Sequence, residues 1–129
     1  MGIVDRSRNQ LKRIGFWADL HNARGIGRLI SALEGLPEPK ALVDKAWDPV
    51  EREIVATYLD SAPDVEQWLG TSYCRFECGE INMGSSDKSD GTYLWPEGFS
   101  HYVRKHLVRP PVEFVEHVRR VLGNLPSRR

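Results

Sequence analysis

The segment CRFECGEINMGSSDKSDGTYLWPEGFSHYVRKH, residues 74–106, contains both cysteines of the chain and two of its four histidines. It begins with Cys74-x3-Cys78 and ends with His101-x4-His106. Two thiolates and two imidazoles form a ligand set that zinc accepts in closed tetrahedral sites. The spacing raises the hypothesis that this segment folds back on itself and brings its sulfurs and imidazoles together.

The same segment predicts a two-stranded β-hairpin. SYCRFEC alternates, so Cys74, Phe76 and Cys78 would share one face of the first strand. TYLW is typical of a second short strand. The Ser-, Gly- and Asp-rich residues between them indicate a loop, in which Asp90-Gly91 is the turn.

Apolar periodicity predicts two helices after the hairpin. WPEGFSHYVRKHL would begin its helix at Pro96, and RPPVEFVEHVRRVLG would end its helix at Gly123. The predicted buried stripes are Phe99, Tyr102, Val103, His106 and Leu107 in the first helix, and Phe114, Val115, Val118, Val121 and Leu122 in the second.

Helix signals also precede the hairpin. In WDPVEREIVATYLDSA, Asp48 can cap the helix and Pro49 suits its first position. NQLKRIGFWADL and IGRLISALEGLP predict two earlier helices, and DVEQWLG a short helical turn. In the WDPV helix the predicted buried residues are Val50, Ile54, Val55, Tyr58 and Leu59, and the predicted exposed residues are Glu51, Arg52 and Glu53.

These elements predict an α+β fold: a mostly helical single domain with a small two-stranded β-hairpin packed against the C-terminal helices. A chain of 129 residues suits one domain with one core. We divide it into a helical N-terminal part (residues 1–40), a core unit that carries the motif (41–122) and a frayed tail (123–129).

Composition favours a cytoplasmic location. The chain is 40% hydrophobic and 28% charged, and no apolar run approaches the roughly 18 residues of a membrane span. The start, MGIVDRSRNQ, has no apolar region typical of a secretory signal. In the cytosol we expect thiols or metal ligands rather than a stable disulfide.

The net charge is zero, but its distribution is uneven. Residues 1–30 contain six basic and two acidic residues, and residues 31–70 contain three basic and nine acidic residues. Nucleic-acid binding normally depends on clustered phosphate contacts, and this basic end lacks interleaved aromatic residues. A nucleic-acid partner is therefore disfavoured, and another protein is the expected partner.

Two geometric arguments oppose a zinc site. Cysteines at the ends of an extended strand would stand roughly 13 Å apart. His101 and His106, five residues apart on a regular helix, would point roughly 140° apart. The alternative is that no cofactor binds, that Cys74 and Cys78 are thiols packed as small hydrophobic side chains, and that one histidine is packed and one exposed.

A catalytic reading is the other alternative. A cysteine thiolate and a histidine could form a nucleophile–base pair, and Asp90 or Glu97 could act as acid or base near the hairpin. None of these has a diagnostic local setting, so the sequence assigns no catalytic residue. Glu97, as the second residue of its predicted helix, is explained by the helix dipole.

Residues from about 40 to 118 resemble a family of small, uncharacterised bacterial proteins. The resemblance implies a bacterial cytosolic protein and brings no activity with it. Its most specific string is Asp-Gly-x-x-x-Trp-Pro-Glu-Gly-x-x-His-Tyr-Val. The matching residues are Trp47-Asp48-Pro49, Glu51-Arg52, Tyr58-Leu59, Ser72-Tyr73-Cys74-Arg75, Met83-Gly84-Ser85, Asp90-Gly91, Trp95-Pro96-Glu97-Gly98, His101-Tyr102-Val103 and Val108-Arg109-Pro110-Pro111-Val112-Glu113-Phe114-Val115.

From these patterns we expect a non-enzymatic protein-interaction module. An immunity-type protein that neutralises a toxin is one form of this hypothesis, with Cys74, Cys78, His101 and His106 as zinc ligands. The alternative is a small enzyme that uses the Cys/His/Glu cluster near the hairpin. The residues expected to form the structural motif are Asp90, Gly91, Trp95, Pro96, Glu97, Gly98 and Tyr102.

Overall fold

The structure is a computed structural model that describes residues 11–17, 36–67, 71 and 73–123. Within these ranges the chain forms three α-helices, a short 3-10 helix and four β-strands. The helices are α1 (Pro49–Ser61), α2 (Phe99–His106), α3 (Val112–Leu122) and the 3-10 helix Pro39–Leu42. The strands are β1 (Lys12–Arg13), β2 (Asp64–Gln67), β3 (Ser86–Ser89) and β4 (Tyr93–Pro96).

The α+β class is confirmed, but the two-stranded hairpin is wrong. The strands form one four-stranded mixed sheet in the order β1-β4-β3-β2. β3 and β4 form an antiparallel hairpin in which Lys88 lies opposite Trp95. β2 extends it antiparallel to β3, whereas β1 lies parallel to β4 with Lys12 opposite Tyr93.

The predicted strand from Tyr73 to Cys78 is also wrong, because this segment turns instead of extending. The Glu77 N–H donates to the Cys74 carbonyl at 3.1 Å, and Glu77 has a φ of 57°. The true partner of β4 is Ser86–Ser89, in the segment predicted as a loop. Alternation rules missed this strand because its buried side chains are polar.

Hydrogen bonds make that polar strand compatible with burial. The Ser89 hydroxyl donates to the Tyr93 carbonyl at 2.7 Å and accepts from the Gly91 N–H at 2.9 Å. Buried polar groups are tolerated when they are satisfied in this way. Asp90-Gly91 lies between β3 and β4, so the predicted turn is confirmed even though its first strand was misplaced.

Two predicted helical segments contain strands. The Lys12 N–H donates to the Thr92 carbonyl and the Ile14 N–H to the Leu94 carbonyl, both at 3.0 Å. Gly15 has a φ of 74°, which a right-handed helix cannot contain. DVEQ, predicted as helical, is β2. Of the helix predicted over IGRLISALEGLP, residues 26–35 lie outside the described residues, which resume at residue 36.

The helix over WDPVEREIVATYLDSA is confirmed as α1. Asp48 accepts a hydrogen bond from the Glu51 N–H at 2.9 Å, and Pro49 is the first helical residue. The buried face was partly misassigned, since Val50 is 61% exposed and Glu51 only 5%. Glu51 is buried because its carboxylate has protein donors, one of them the Trp47 indole at 2.7 Å.

α2 and α3 follow the prediction with local corrections. α2 begins at Phe99 because Pro96 belongs to β4, and α3 stops before Gly123, whose φ is 80°. Val121 and Leu122, predicted to be buried, are 55% and 47% exposed. The stripe residues confirmed as buried are Phe99, Tyr102, Val103, Phe114, Val115 and Val118.

The core lies where β4 meets the helices. Trp95 is fully buried, and its indole N–H donates to the Leu59 carbonyl at 3.2 Å. Its ring lies 5.7 Å from that of Phe114 and 6.2 Å from that of Tyr58, so it joins α1, α3 and the sheet.

Among the residues that the structure describes, none of the helices has the length and the apolar character of a membrane-spanning segment.

Candidate metal centre

The four sequence-predicted ligands come together in the structure. One ligand atom from each of Cys74, Cys78, His101 and His106 lies within 4.8 Å of the other three. Cys74 Sγ is 3.4 Å from His106 Nε2, and Cys78 Sγ is 3.5 Å from His101 Nε2. These four residues could hold a metal ion.

The cysteines lie on a tight turn, residues 73–80, which we call the knuckle. The Cys74 N–H donates to the Glu80 carbonyl at 3.0 Å and closes the turn. The Phe76 N–H points at Cys74 Sγ, 3.4 Å away. Glu77 and Gly79 have positive φ values, of 57° and 100°. Because the segment bends, the two sulfurs lie within 4.8 Å of each other and not roughly 13 Å apart as in an extended strand.

α2 supplies the histidines and the surface on which the knuckle packs. His101 lies in the first turn of α2 and His106 is its last residue. Their ring centroids are 5.1 Å apart, so both imidazoles converge over the knuckle despite their five-residue spacing. Phe76 stacks on His106 at 4.2 Å with an interplanar angle of 2°. The Tyr102 hydroxyl accepts from the Arg75 N–H at 2.8 Å.

Burial sets the protonation preferences of the ligands. It lowers the pKa of His101 and of His106, which favours the neutral imidazoles that metals bind. Burial also raises the pKa of the Cys74 thiol, and the neighbouring Cys78 adds to this effect. The Cys74 proton must leave when a metal binds, so metal affinity should increase with pH.

Several residues of the expected structural motif position the segment between the knuckle and α2. Glu97 lies before α2, not within it, and its carboxylate accepts from the Ser85 N–H at 3.0 Å. A Cβ at Gly84 would lie 2.2 Å from that carboxyl group, and one at Gly98 would lie 2.8 Å from Met83 Cβ. Glycine is therefore required for both close approaches.

A second cluster was missed by sequence reasoning. Asp90 Oδ2 accepts from the Tyr58 hydroxyl and lies 2.8 Å from His117 Nε2. Asp90 Oδ1 accepts the backbone N–H groups of Thr92 and Tyr93. The His117 side chain is only 15% exposed. No local spacing signals this cluster, because its members come from α1, the hairpin turn and α3.

The electrostatics of Asp90 follow from these contacts. Burial would raise its pKa, but hydrogen bonds from Tyr58, the backbone and His117 outweigh burial and lower the pKa. Burial and the same carboxylate raise the pKa of the Tyr58 hydroxyl. Asp90 is therefore a charged acceptor surrounded by protein donors, which pins the hairpin turn to α1 and α3.

Comparison with protein-family models, curated proteins and solved structures finds no match for this chain. The resemblance to small bacterial proteins stays a prediction. The geometry of the described residues is therefore the basis for the functional proposal.

Proposed function

We propose that the protein is a non-enzymatic interaction module that carries a structural zinc ion on Cys74, Cys78, His101 and His106 and binds another protein. The observation that carries the zinc proposal is the convergence of all four ligand atoms within 4.8 Å. We favour a toxin as the partner, which this protein would bind and neutralise.

The distances support an ion of the size of zinc. Zn–S bonds of about 2.3 Å and Zn–N bonds of about 2.05 Å at tetrahedral angles place sulfur and nitrogen roughly 3.6 Å apart. The two S···N distances are 3.4 and 3.5 Å. Small shifts would complete the coordination sphere. Thiolates with imidazoles favour zinc over calcium or magnesium, which prefer oxygen ligands.

Four protein ligands support a structural role for the metal. A catalytic zinc ion normally keeps one position open for water or substrate, and a Cys2His2 set fills all four positions. The metal would join the knuckle to both ends of α2 through Cys74–His106 and Cys78–His101. A domain that needs such a clip gains folding free energy from metal binding.

An apolar cleft supports a protein partner. It has a volume of about 450 Å³, lies between α1 and α3, and is lined in part by Ile54, Tyr58 and Leu122. Leu122 and the adjacent Val121 are about half exposed. Apolar surface of this kind is typical of sites where another protein packs.

The alternative enzyme has one observation in its favour, the 3.4 Å distance from Cys74 Sγ to His106 Nε2, which is within reach for a thiolate–imidazole pair. Cys74, however, is only 1% exposed, and burial raises the pKa of its thiol. A catalytic cysteine that attacks an external substrate needs a lowered pKa and access to that substrate. The contacts therefore favour the structural site.

Metal content tests the zinc proposal. We expect about one zinc ion per chain in protein purified without added metal, and loss of that zinc in Cys74→Ala and His106→Ala. His117→Gln is the matched control, because His117 is also a partly buried helical histidine but lies on the Asp90 cluster. Wild-type protein with no zinc and two freely titratable thiols would contradict the proposal.

The same variants separate the two functions. If the site is a structural clip, Cys74→Ala loses stability. If it is an enzyme site, the variant stays folded and loses turnover of its substrate. Thermal unfolding measured beside metal content distinguishes these results.

Co-purification with proteins encoded beside its gene tests the partner. A stable complex should bury more than about 1,000 Å². Leu122→Arg should abolish binding by placing a charge in the cleft, whereas Val112→Arg, at the exposed opposite end of α3, should not. Binding to none of these proteins, or equal loss in both variants, would count against the cleft as the docking surface.

A further inference from the structure

The two cysteines share the knuckle but differ sharply in access to solvent. Cys74 is 1% exposed, whereas Cys78 is an exposed free thiol. Their sulfurs belong to the cluster whose ligand atoms all lie within 4.8 Å of one another. An exposed thiol beside a buried one is the arrangement in which an oxidised sulfur can be attacked by a neighbouring thiol.

We propose that Cys74 and Cys78 form a reversible oxidative modification site, in which hydrogen peroxide converts the pair to an intramolecular disulfide and releases the bound zinc. The release of zinc rests on the proposed function. The disulfide itself does not, because the two sulfurs lie within 4.8 Å of each other without any appeal to a metal.

The chemistry balances in two steps. The Cys78 thiolate attacks peroxide, the O–O bond breaks, and Cys78 becomes a sulfenic acid while the released hydroxide takes a proton to form water. The Cys74 thiolate then attacks the Cys78 sulfur, the S–S bond forms, and the departing hydroxide takes a second proton as water. Two thiolates, one peroxide and two protons give one disulfide and two waters, and zinc leaves as the free ion.

The backbone around the sulfurs allows this movement. The sulfurs must close from at most 4.8 Å to a bond of about 2.05 Å. Gly79, directly after Cys78, has a φ of 100° and no heavy atom within 4 Å of a Cβ built on it, so the chain has open space there. Cys74 is fixed by its hydrogen bond to Glu80, so Cys78 is the residue that moves.

Disulfide formation would also remove the link between the knuckle and α2 that the proposed metal provides. It removes two of the four ligands at once and leaves His101 and His106 without sulfur partners. The remaining contacts of the knuckle with α2 include the Phe76–His106 stack and the Arg75–Tyr102 hydrogen bond. Peroxide would thus act on the segment whose attachment to α2 depends on the metal.

The test treats the zinc-loaded full chain with one equivalent of hydrogen peroxide. Three quantities are followed together: zinc release with a colorimetric chelator, free thiols by titration, and intact mass. We expect loss of both thiols, loss of two hydrogen atoms in mass, release of the bound zinc, and a monomer by gel filtration. Dithiothreitol with added zinc should restore both thiols and the metal.

Cys74→Ser is the matched variant, because it keeps the exposed thiol and removes its neighbour. Its Cys78 should gain oxygen atoms with excess peroxide, and dithiothreitol should not reverse the sulfinic acid that forms. Metal-free wild-type protein keeps the proposal testable if this variant fails to fold, since it should still lose two hydrogen atoms and both thiols.

The outcomes separate this proposal from the zinc proposal. Protein that contains no zinc before treatment but forms the intramolecular disulfide overturns zinc release and leaves the disulfide supported. Wild-type protein that gains oxygen atoms, forms only intermolecular disulfides, or keeps its thiols and zinc overturns the modification site. A Cys74→Ser variant that recovers as fully as wild type contradicts the role of Cys74 as the attacking thiol.

Discussion

The knuckle and the hairpin turn are both irregular segments attached to helices, but their attachments differ. The knuckle meets α2 where its two sulfurs lie beside two imidazoles, and also through the Phe76–His106 stack and the Arg75–Tyr102 hydrogen bond. The hairpin turn meets α1 and α3 through the carboxylate of Asp90, which accepts from Tyr58 and His117.

The difference lies in what satisfies each polar group. Asp90 has protein donors on both carboxylate oxygens, so its negative charge is compensated inside the fold. The knuckle instead places two sulfurs, which are weak donors and weak acceptors, beside two imidazole nitrogens, and all four atoms are of types that bind zinc. The hairpin turn therefore holds its charge with protein donors alone, whereas under the zinc proposal the knuckle would be completed by an ion.

If zinc is bound as proposed, its removal should have the largest effect. If free zinc is 1,000 times its dissociation constant, binding stabilises the folded state by about 4 kcal/mol. Chelation should then lower the melting temperature by roughly 15 °C. Differential scanning calorimetry with and without a chelator measures the shift.

The control for this prediction is a variant of the other region. Asp90→Asn should show the same chelator-dependent shift as wild type, because Asp90 lies outside the ligand set. Equal melting temperatures with and without chelator in zinc-containing wild-type protein would contradict the dependence of the knuckle on metal.

Removing the Asp90 carboxylate should have the next largest effect. Asp90→Ala leaves Tyr58, His117 and two backbone N–H groups without their acceptor, and unsatisfied buried polar groups cost about 1–3 kcal/mol each. Because some of these donors can reach water, we expect a net loss of about 3 kcal/mol in urea unfolding. Zinc content should not change. A loss of zinc in this variant would show that the two regions are coupled.

The smallest effect is the pH dependence of the metal-free protein. Burial lowers the folded-state pKa of His101 and His106, so the unfolded chain binds more protons. Stability should therefore fall as pH decreases from about 6.5. The pKa of Asp90 is also lowered, so its contribution is present above about pH 3.9 and is lost as pH falls through its folded pKa.

Urea midpoints of chelated protein, measured across these two windows, check the prediction. His101→Gln with His106→Gln should reduce the slope in the upper window, and Asp90→Asn should reduce the slope in the lower window, to which Asp44, Glu51 and Glu53 also contribute because their pKa values are lowered as well. An unchanged slope in either case contradicts the assignment of that window.

Local signals predicted the elements whose burial follows apolar periodicity. α1 was found from the Asp48 cap and Pro49, and α3 from its stripe and its end at Gly123. The predictions failed where a polar side chain is buried. Ser86–Ser89 is a strand because Ser89 is satisfied by Tyr93 and Gly91, and Glu51 is buried because Trp47 donates to it.

The sequence predicts the four residues of the candidate site but not how they come together. Their chemistry names them as metal ligands, but an extended strand from Tyr73 to Cys78 would place the two sulfurs too far apart. The turn at Glu77 and Gly79, which brings them together, has only Gly79 as a sequence signal. Asp90 and His117 lie 27 residues apart and became partners only through the packing of α3 against the hairpin.

The sequence by itself determined the ligand types, the helix boundaries with strong caps, and the α+β class, because these depend on residue chemistry and on local backbone geometry. Only the tertiary structure decided the order of the strands, the attachment of the knuckle to α2 and the burial of Glu51 and Asp90. Glu51 pairs with Arg119 and Asp90 pairs with His117, both distant in the chain, and these bonds offset a desolvation cost that no local pattern records.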